Sequence, residues 1–148
     1  GLGSPWLDDS ARGWLGGLTR GSGRAELARA LLEGVAQRCA DLAEALGVSG
    51  PLRVDGGLAR SNELIQALAD LVGEPVERAR EPETTALGGA FLAGLAVGVW
   101  SEPADCSPAE APQSFEPAMP AAERLRARSE WARAVERARG AQDAERSR

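Results

Sequence analysis

The stretch from Leu52 to Arg78 restricts what this chain can fold into more than any other. LRVDGGLARSN opens with a β-prone entry carrying Leu52 and Val54, passes through two adjacent glycines, and leads into a segment in which Leu64, Ile65, Leu68, Leu71 and Val72 recur at helical spacing. Ser61 or Asn62 is the natural N-cap of that helix, and Gly73 its terminator. Pro75 to Arg78 follows, β-prone at Val76, where a strand would return beside Leu52–Val54 through the crossover helix. The expectation is a parallel β-α-β unit, hence an α/β fold. Such units bind ligands outside the carboxyl ends of their strands, where Gly56 and Gly57 stand. A glycine pair lets a ligand approach the backbone without a Cβ in the way, and the helix behind it offers free N–H groups. Asp55-Gly56-Gly57 reads equally as an ordinary connector, because Gly and Asp dominate turns.

The flanks add helices. From Arg24 to Leu46, Leu27, Leu31, Val35, Cys39, Leu42 and Leu46 recur every three or four positions, which predicts a helix burying that face and stopped by Gly47. Arg29 and Glu33 lie four apart on its outer side. Ala86 to Trp100 carries no charge and has small residues at Ala90, Gly94 and Gly98. Its fifteen residues fall short of the roughly 20 that cross a bilayer, so it reads as a buried helix packed closely on a sheet. Gly1 to Arg20 reads as a loop and then a glycine-weakened extended segment at Trp14–Leu18. Asp8 and Asp9 are either a carboxylate pair or a solvated turn. Residues 101–120 are rich in proline and read as an extended surface connector, and 121–139 as a charged helix docking through Leu125, Trp131 and Val135, with Gln142 to Arg148 frayed.

Composition removes several chemistries. Among 148 residues there is no His and no Lys, which excludes a histidine base, histidine metal ligands and a P-loop lysine within this chain. The net charge of −5 is spread as interleaved acids and arginines, unlike the basic footprint of a nucleic-acid binder. Cys39 and Cys106 sit far apart, without metal or redox spacing, and read as two free thiols of a reducing cytoplasm. The chain starts at Gly1 inside a glycine-rich phrase, which suggests the C-terminal part of something longer.

The phrases GLGSPW, DDSARG, GLTRG, LRVDGGLARSN, PVER, ETTALGGAFLAGLAVGVW and FEPAM, in that order, resemble the C-terminal domain of the FGGY carbohydrate kinases, and GLGSPW with ARG resembles the branch acting on glycerol. The similarity runs from Gly1 to about Gly140. It implies an actin-like ATPase fold of the ribonuclease H type, of which this chain would hold the C-terminal part, with residues 1–100 as the nucleotide-binding domain, 101–120 as connector and 121–148 as helix and tail. It implies transfer of the γ-phosphoryl group of ATP, with Mg²⁺, to glycerol in the cytoplasm, with no nucleic-acid or membrane partner and with room for a homo-oligomer. Gly56, Gly57 and Ser61 would contact the nucleotide. Ser61 stands where that branch usually has Asn, so its contact would be shorter, water-mediated or passed to Asn62. The catalytic aspartate and metal carboxylates of the family match no residue of this chain, so the fragment alone would be inactive. A pentulose kinase, or a non-catalytic actin-like nucleotide-binding module, are the alternatives.

Overall fold

The computed structural model of the chain describes residues 1–81, 83–106 (Cys106 by its backbone only) and 111–140. Strand β1 (Leu52–Val54) pairs in parallel with β2 (Val76–Arg78), and the helix between them, α2 (Asn62–Val72), makes the β-α-β unit expected from the sequence. Ser61 caps α2 by accepting a hydrogen bond from the Leu64 amide, and Gly73 ends it at φ 73°, a left-handed turn that glycine adopts without a Cβ penalty. Leu64, Ile65, Leu68, Ala69 and Leu71 are the buried side of α2, and with Val76 they centre the core.

A third strand completes the sheet. β3 (Gln113–Phe115) runs antiparallel to β2, in register Val76 to Phe115 and Arg78 to Gln113, so β2 is central. The sequence reading placed no strand in the proline-rich segment. Three residues are too few to show period-2 alternation against that background. Strand alternation gives the sheet two unlike faces: Leu52, Val54 and Phe115 pack on the core, while Arg53 and Glu77 form a cross-strand ion pair of 3.1 Å on the other side.

Helix α1 (Arg24–Ala45) lies against α2, but not by the face the leucine spacing suggested. Ala36, Ala40 and Ala43 are buried, whereas Leu31, Leu42 and Leu46 stand 64%, 43% and 71% exposed and Val35 and Cys39 are exposed too. Alanines at i, i+4 and i+7 form a second stripe of equal period, and their small side chains let the two helix backbones approach closely. Periodicity identifies residues sharing a face without saying which face is covered. The Arg29–Glu33 pair forms at 2.6 Å, 81% and 47% exposed, where solvent screening leaves such a pair little weight in stability.

Helix α4 (Ala121–Gly140) docks on α1 by a different device from the apolar one expected. Val135 is buried, yet Leu125 is 69% exposed. Asp41 of α1 is buried and accepts from Arg128 Nη2 and from Trp131 Nε1, each at 2.7 Å, and Arg128 Nη1 also donates to Gln37 Oε1 at 2.8 Å. Arg128, one of the many charges of this helix, is thus half of a largely buried ion pair. Residues 142–148, expected to fray, lie outside the described residues.

Helix α3 (Thr84–Ala96) departs most from expectation. Leu92 is 70% exposed, and Val97 and Val99 just beyond it 77% and 66%. Its buried residue is Gly94, roofed by Trp100, whose ring meets Phe91 edge-on at 5.3 Å. Its chief packing partner among the described elements is the short 3-10 turn Pro103–Cys106, not the sheet. Among the described residues the small residues do not seat it on the strands, whose face away from the core carries Arg53 and Glu77. No helix among the described residues is long and apolar enough to cross a membrane.

Candidate functional site

The candidate site is the turn that joins β1 to α2. After Val54 the chain passes Asp55 and reaches Gly56 at φ 89°, ψ −179°, a region open almost only to glycine. Gly57 begins a 3-10 turn through Arg60, closed by hydrogen bonds from the Ala59 amide to the Gly56 carbonyl and from the Ser61 amide to the Leu58 carbonyl, both 3.1 Å. Gly56, Gly57 and Ser61, the three residues singled out in the sequence, therefore share one loop. Neither glycine has an atom within 4 Å of where a Cβ would stand, so among the described residues the space over both is open. At Gly56 the dihedrals alone require glycine, whereas at Gly57 the open space is what a ligand would use.

Ser61 is already occupied. Its Oγ accepts from the Leu64 amide at 3.2 Å and donates to Glu63 Oε2 at 3.0 Å. The hydroxyl hydrogen is spent on Glu63, so a ligand could reach Ser61 only through the remaining oxygen lone pair. Asn62 is held the other way round: its Oδ1 accepts from Arg78 Nη1 at 2.9 Å, which leaves the amide NH₂ as its donor end. The Glu63 carboxyl sits below its ordinary value, first through its own backbone N–H and then through the Ser61 hydroxyl.

Gly56 opens onto a shallow cleft of about 270 Å³ lined also by Asp55, Arg60, Arg78, Arg80 and Gln113. Whole ligand pockets run from about 300 to 1,000 Å³. This cleft has room for part of a ligand, such as a phosphate or a sugar. Three larger hollows, of about 650 Å³ between α1, α2 and α4, about 590 Å³ beside Trp14 and α1, and about 320 Å³ beside Val48 and Arg124, lie away from Gly56 and Gly57. None includes the Asp55–Ser61 turn or the carboxyl end of a parallel strand, so loop chemistry outweighs size in choosing the site.

The residue that sequence reasoning missed is Arg78. From the end of β2 its Nη1 reaches the Ala59 carbonyl at 2.9 Å and Asn62 Oδ1 at 2.9 Å, with the Arg60 carbonyl at 3.4 Å, and its Nη2 donates to Gln113 Oε1. Its guanidinium also lies over the Phe115 ring, 5.1 Å from the centroid. The signal was available in outline: an Arg two residues after an inward Val on a parallel strand points the same way as that Val, toward the core face and the loop.

Other candidates resolve as structure. Asp8 Oδ1 accepts from Ser10 Oγ at 2.6 Å and from the Ser10 and Ala11 amides at 3.0 and 3.1 Å. The Ser10 hydroxyl chiefly holds its carboxyl below the ordinary value, against a smaller opposing effect of desolvation. This is a turn, as the blander sequence reading had it. No strand forms at Trp14–Leu18, which runs as irregular chain. Cys39 is a free thiol raised above its ordinary value by partial burial, and the side chain of Cys106 lies outside the described ones. Among the described residues no three of His, Cys, Asp and Glu converge as a metal cage. A Mg²⁺ accompanying a nucleotide therefore does not fit a protein cage in these residues.

Comparison with known proteins gives a consistent picture. Residues 1–97 match the family described as "FGGY family of carbohydrate kinases, C-terminal domain". A glycerol kinase of Aromatoleum aromaticum is 51% identical over 146 residues, covering 95% of this chain and 29% of that protein. One of Symbiobacterium thermophilum is 48% identical over the same shares. Among solved structures, Plasmodium falciparum glycerol kinase with ADP superposes with a TM-score of 0.78 at 32% identity, over 93% of this chain and 29% of that one. A ligand-bound xylulose kinase of Lactobacillus acidophilus follows, with a TM-score of 0.73 at 26% identity over the same shares. The chain thus spans under a third of the length of the curated relatives it matches.

Proposed function

The chain belongs to the FGGY family of carbohydrate kinases, whose C-terminal domain it matches, and from that premise we propose that it is the nucleotide-holding part of a kinase that moves the γ-phosphoryl group of ATP to glycerol. The observation that carries this is the loop Asp55–Asn62: a glycine fixed at φ 89°, open space over Gly57, and a capped helix start, all at the carboxyl end of a parallel strand. Backbone amides at such a place approach a polyanion closely and favour its charge. Identities near 50% to curated glycerol kinases, and among solved structures 32% to a glycerol kinase against 26% to a xylulose kinase, favour glycerol over a pentulose.

In this reading Gly56 shapes the turn, Gly57 leaves room for the nucleotide, and Ser61 or the Asn62 amide supplies a polar contact. Residues 1–100 would carry the nucleotide site, and 101–120 would cross to the helix that begins the 121–148 segment. Mg²⁺ is the expected companion of ATP, neutralising phosphate charge when bound, and its carboxylates would come from other parts of the parent protein. So would the base that aligns the glycerol hydroxyl, for phosphoryl transfer is positioning and charge stabilisation by groups on both sides of the phosphate. A cytoplasmic place for the parent enzyme follows from its use of ATP and a small polyol.

The test is Gly57→Val in the full-length protein. A Cβ there meets no protein atom within 4 Å and the backbone is outside the left-handed region, so the fold should hold while the KM for ATP rises. An unchanged KM for ATP refutes the nucleotide assignment. Residues 1–148 alone should show no ATP-dependent phosphorylation of glycerol in a coupled assay.

A further inference from the structure

We infer that Arg78 is a positioning residue that sets the shape of the Asp55–Asn62 loop, and so the affinity for ATP, through its hold on the Ala59 carbonyl and Asn62. This rests on the nucleotide reading of that loop. The loop has few holds of its own. Its 3-10 turn is closed by two backbone hydrogen bonds, and it stands between a glycine of unrestricted backbone and the first residue of α2. The holds come from β2. Arg78 is the last residue of the central strand, in register with Val54 of β1 and Gln113 of β3, so its guanidinium is anchored by the sheet. The fork then divides. One nitrogen grips the Ala59 carbonyl and Asn62 Oδ1, and the other grips Gln113 Oε1.

Two consequences follow from that division. Pulling on the Ala59 carbonyl fixes the turn that follows Gly57, and holding Asn62 by its oxygen orients its amide NH₂ outward, the only end of that side chain able to donate to a ligand. A planar fork with donors on two nitrogens can join a loop to a strand in this way; a lysine, a single flexible point donor, cannot hold both. The cation is also desolvated on one side by Phe115, which strengthens hydrogen bonds to neutral carbonyls.

The experiment uses the full-length protein with Arg78→Met, Arg78→Lys and Gly57→Val. Because its charged hydrogen bonds hold the loop, Arg78→Met should raise the KM for ATP about tenfold or more, with kcat and the KM for glycerol within about twofold. Amide exchange of residues 57–62 in the nucleotide-free protein should quicken, and Arg78→Lys should restore part of both effects. The inference is overturned if Arg78→Met leaves both the KM for ATP and loop exchange unchanged, or if ATP and glycerol KM, kcat and melting temperature all worsen together. If Arg78→Met does not fold, Arg78→Lys decides by the same two readouts. A raised KM for ATP in Gly57→Val but not in the Arg78 variants sinks the positioning role alone. Quickened exchange in Arg78→Met with an unmoved KM for ATP in Gly57→Val sinks the nucleotide reading instead.

Discussion

Helices α2 and α3 are both apolar, and the chain treats them oppositely. In α2 the apolar residues fall on one side, and that side is buried: Ile65 and Leu68 are 2% and 3% exposed. In α3 apolar residues fall on every side, and Leu92 is left 70% exposed. An amphipathic helix carries in its own pattern the direction of its partner. A helix apolar all round announces only that it must be covered, and the covering surface is not supplied by the described residues. The contrast bears on function, since the candidate loop is built on the N-terminus of α2, the better-held of the two.

Matched truncations are the strongest way to break this contrast. Leu68→Ala should lower the unfolding free energy of the 148-residue chain by about 3 kcal/mol, the middle of the range for a buried leucine. Leu92→Ala should change it by less than about 0.5 kcal/mol, as for surface substitutions. Urea denaturation followed by circular dichroism measures both. Equal losses would mean that α3 is buried in solution, whether by self-association or by a different docking.

A third helix sharpens the comparison, because α4 has little apolar pattern and is held nonetheless. Asp41 bonds Arg128 and Trp131 across 87 and 90 residues of sequence. Asp41→Ala leaves the Trp131 indole N–H without its acceptor and the largely buried Arg128 guanidinium held only by Gln37 and the exposed Glu44. It should cost about 2–3 kcal/mol, below a fully buried pair because Arg128 keeps 19% exposure. Asp41→Asn, which keeps one acceptor oxygen, should cost less. An Asp41→Ala chain as stable as the wild type in the same denaturation would show that α4 is held by Val135 and its neighbours instead.

What was legible in the sequence divides along the same line. β1, α2 and β2 were readable because glycines, a cap and a 3.6-residue period all agreed on one answer. The candidate loop was readable for the same reason, as was the stop at Gly73. The buried face of α1 was misread because the leucine stripe outweighed the alanines that pack on α2. β3 was missed because three residues among prolines carry no period. Arg128 and Arg78 were missed because one arginine in a charged sequence looks like another until the fold shows what it faces. Those two residues are long-range by nature: their partners lie 91 and 35 residues away, at Gln37 and Gln113.

The cap of α2 offers a smaller and more local test of the well-held side. Ser61→Ala removes the acceptor of the Leu64 amide and should cost about 1 kcal/mol, as N-cap losses do, seen as a lower urea midpoint with unchanged slope. A loss near zero would mean that water replaces the hydroxyl at this helix start, and that Ser61 is free to serve a ligand.

The smallest effect lies in the acid limb of the same cap. Glu63 is held below its ordinary value of 4.5 by its own backbone N–H and then by the Ser61 hydroxyl. A carboxyl with a folded pKa below its unfolded one adds stability that is complete above the unfolded value and lost as pH falls through the folded one. The capping contribution of Glu63 should therefore be intact at neutral pH and fade only below about 4.5, as protonation takes away the acceptor for Ser61 Oγ. Carbon-detected NMR titration of the Glu63 carboxyl should place its midpoint below that of an exposed glutamate. In Ser61→Ala the midpoint should move up part of the way and not fully, because the first cause, the backbone N–H, remains. A midpoint that does not move would mean that the hydroxyl is turned from Glu63 in solution and that its hydrogen is available to a ligand, which would raise the standing of Ser61 as a direct contact over Asn62.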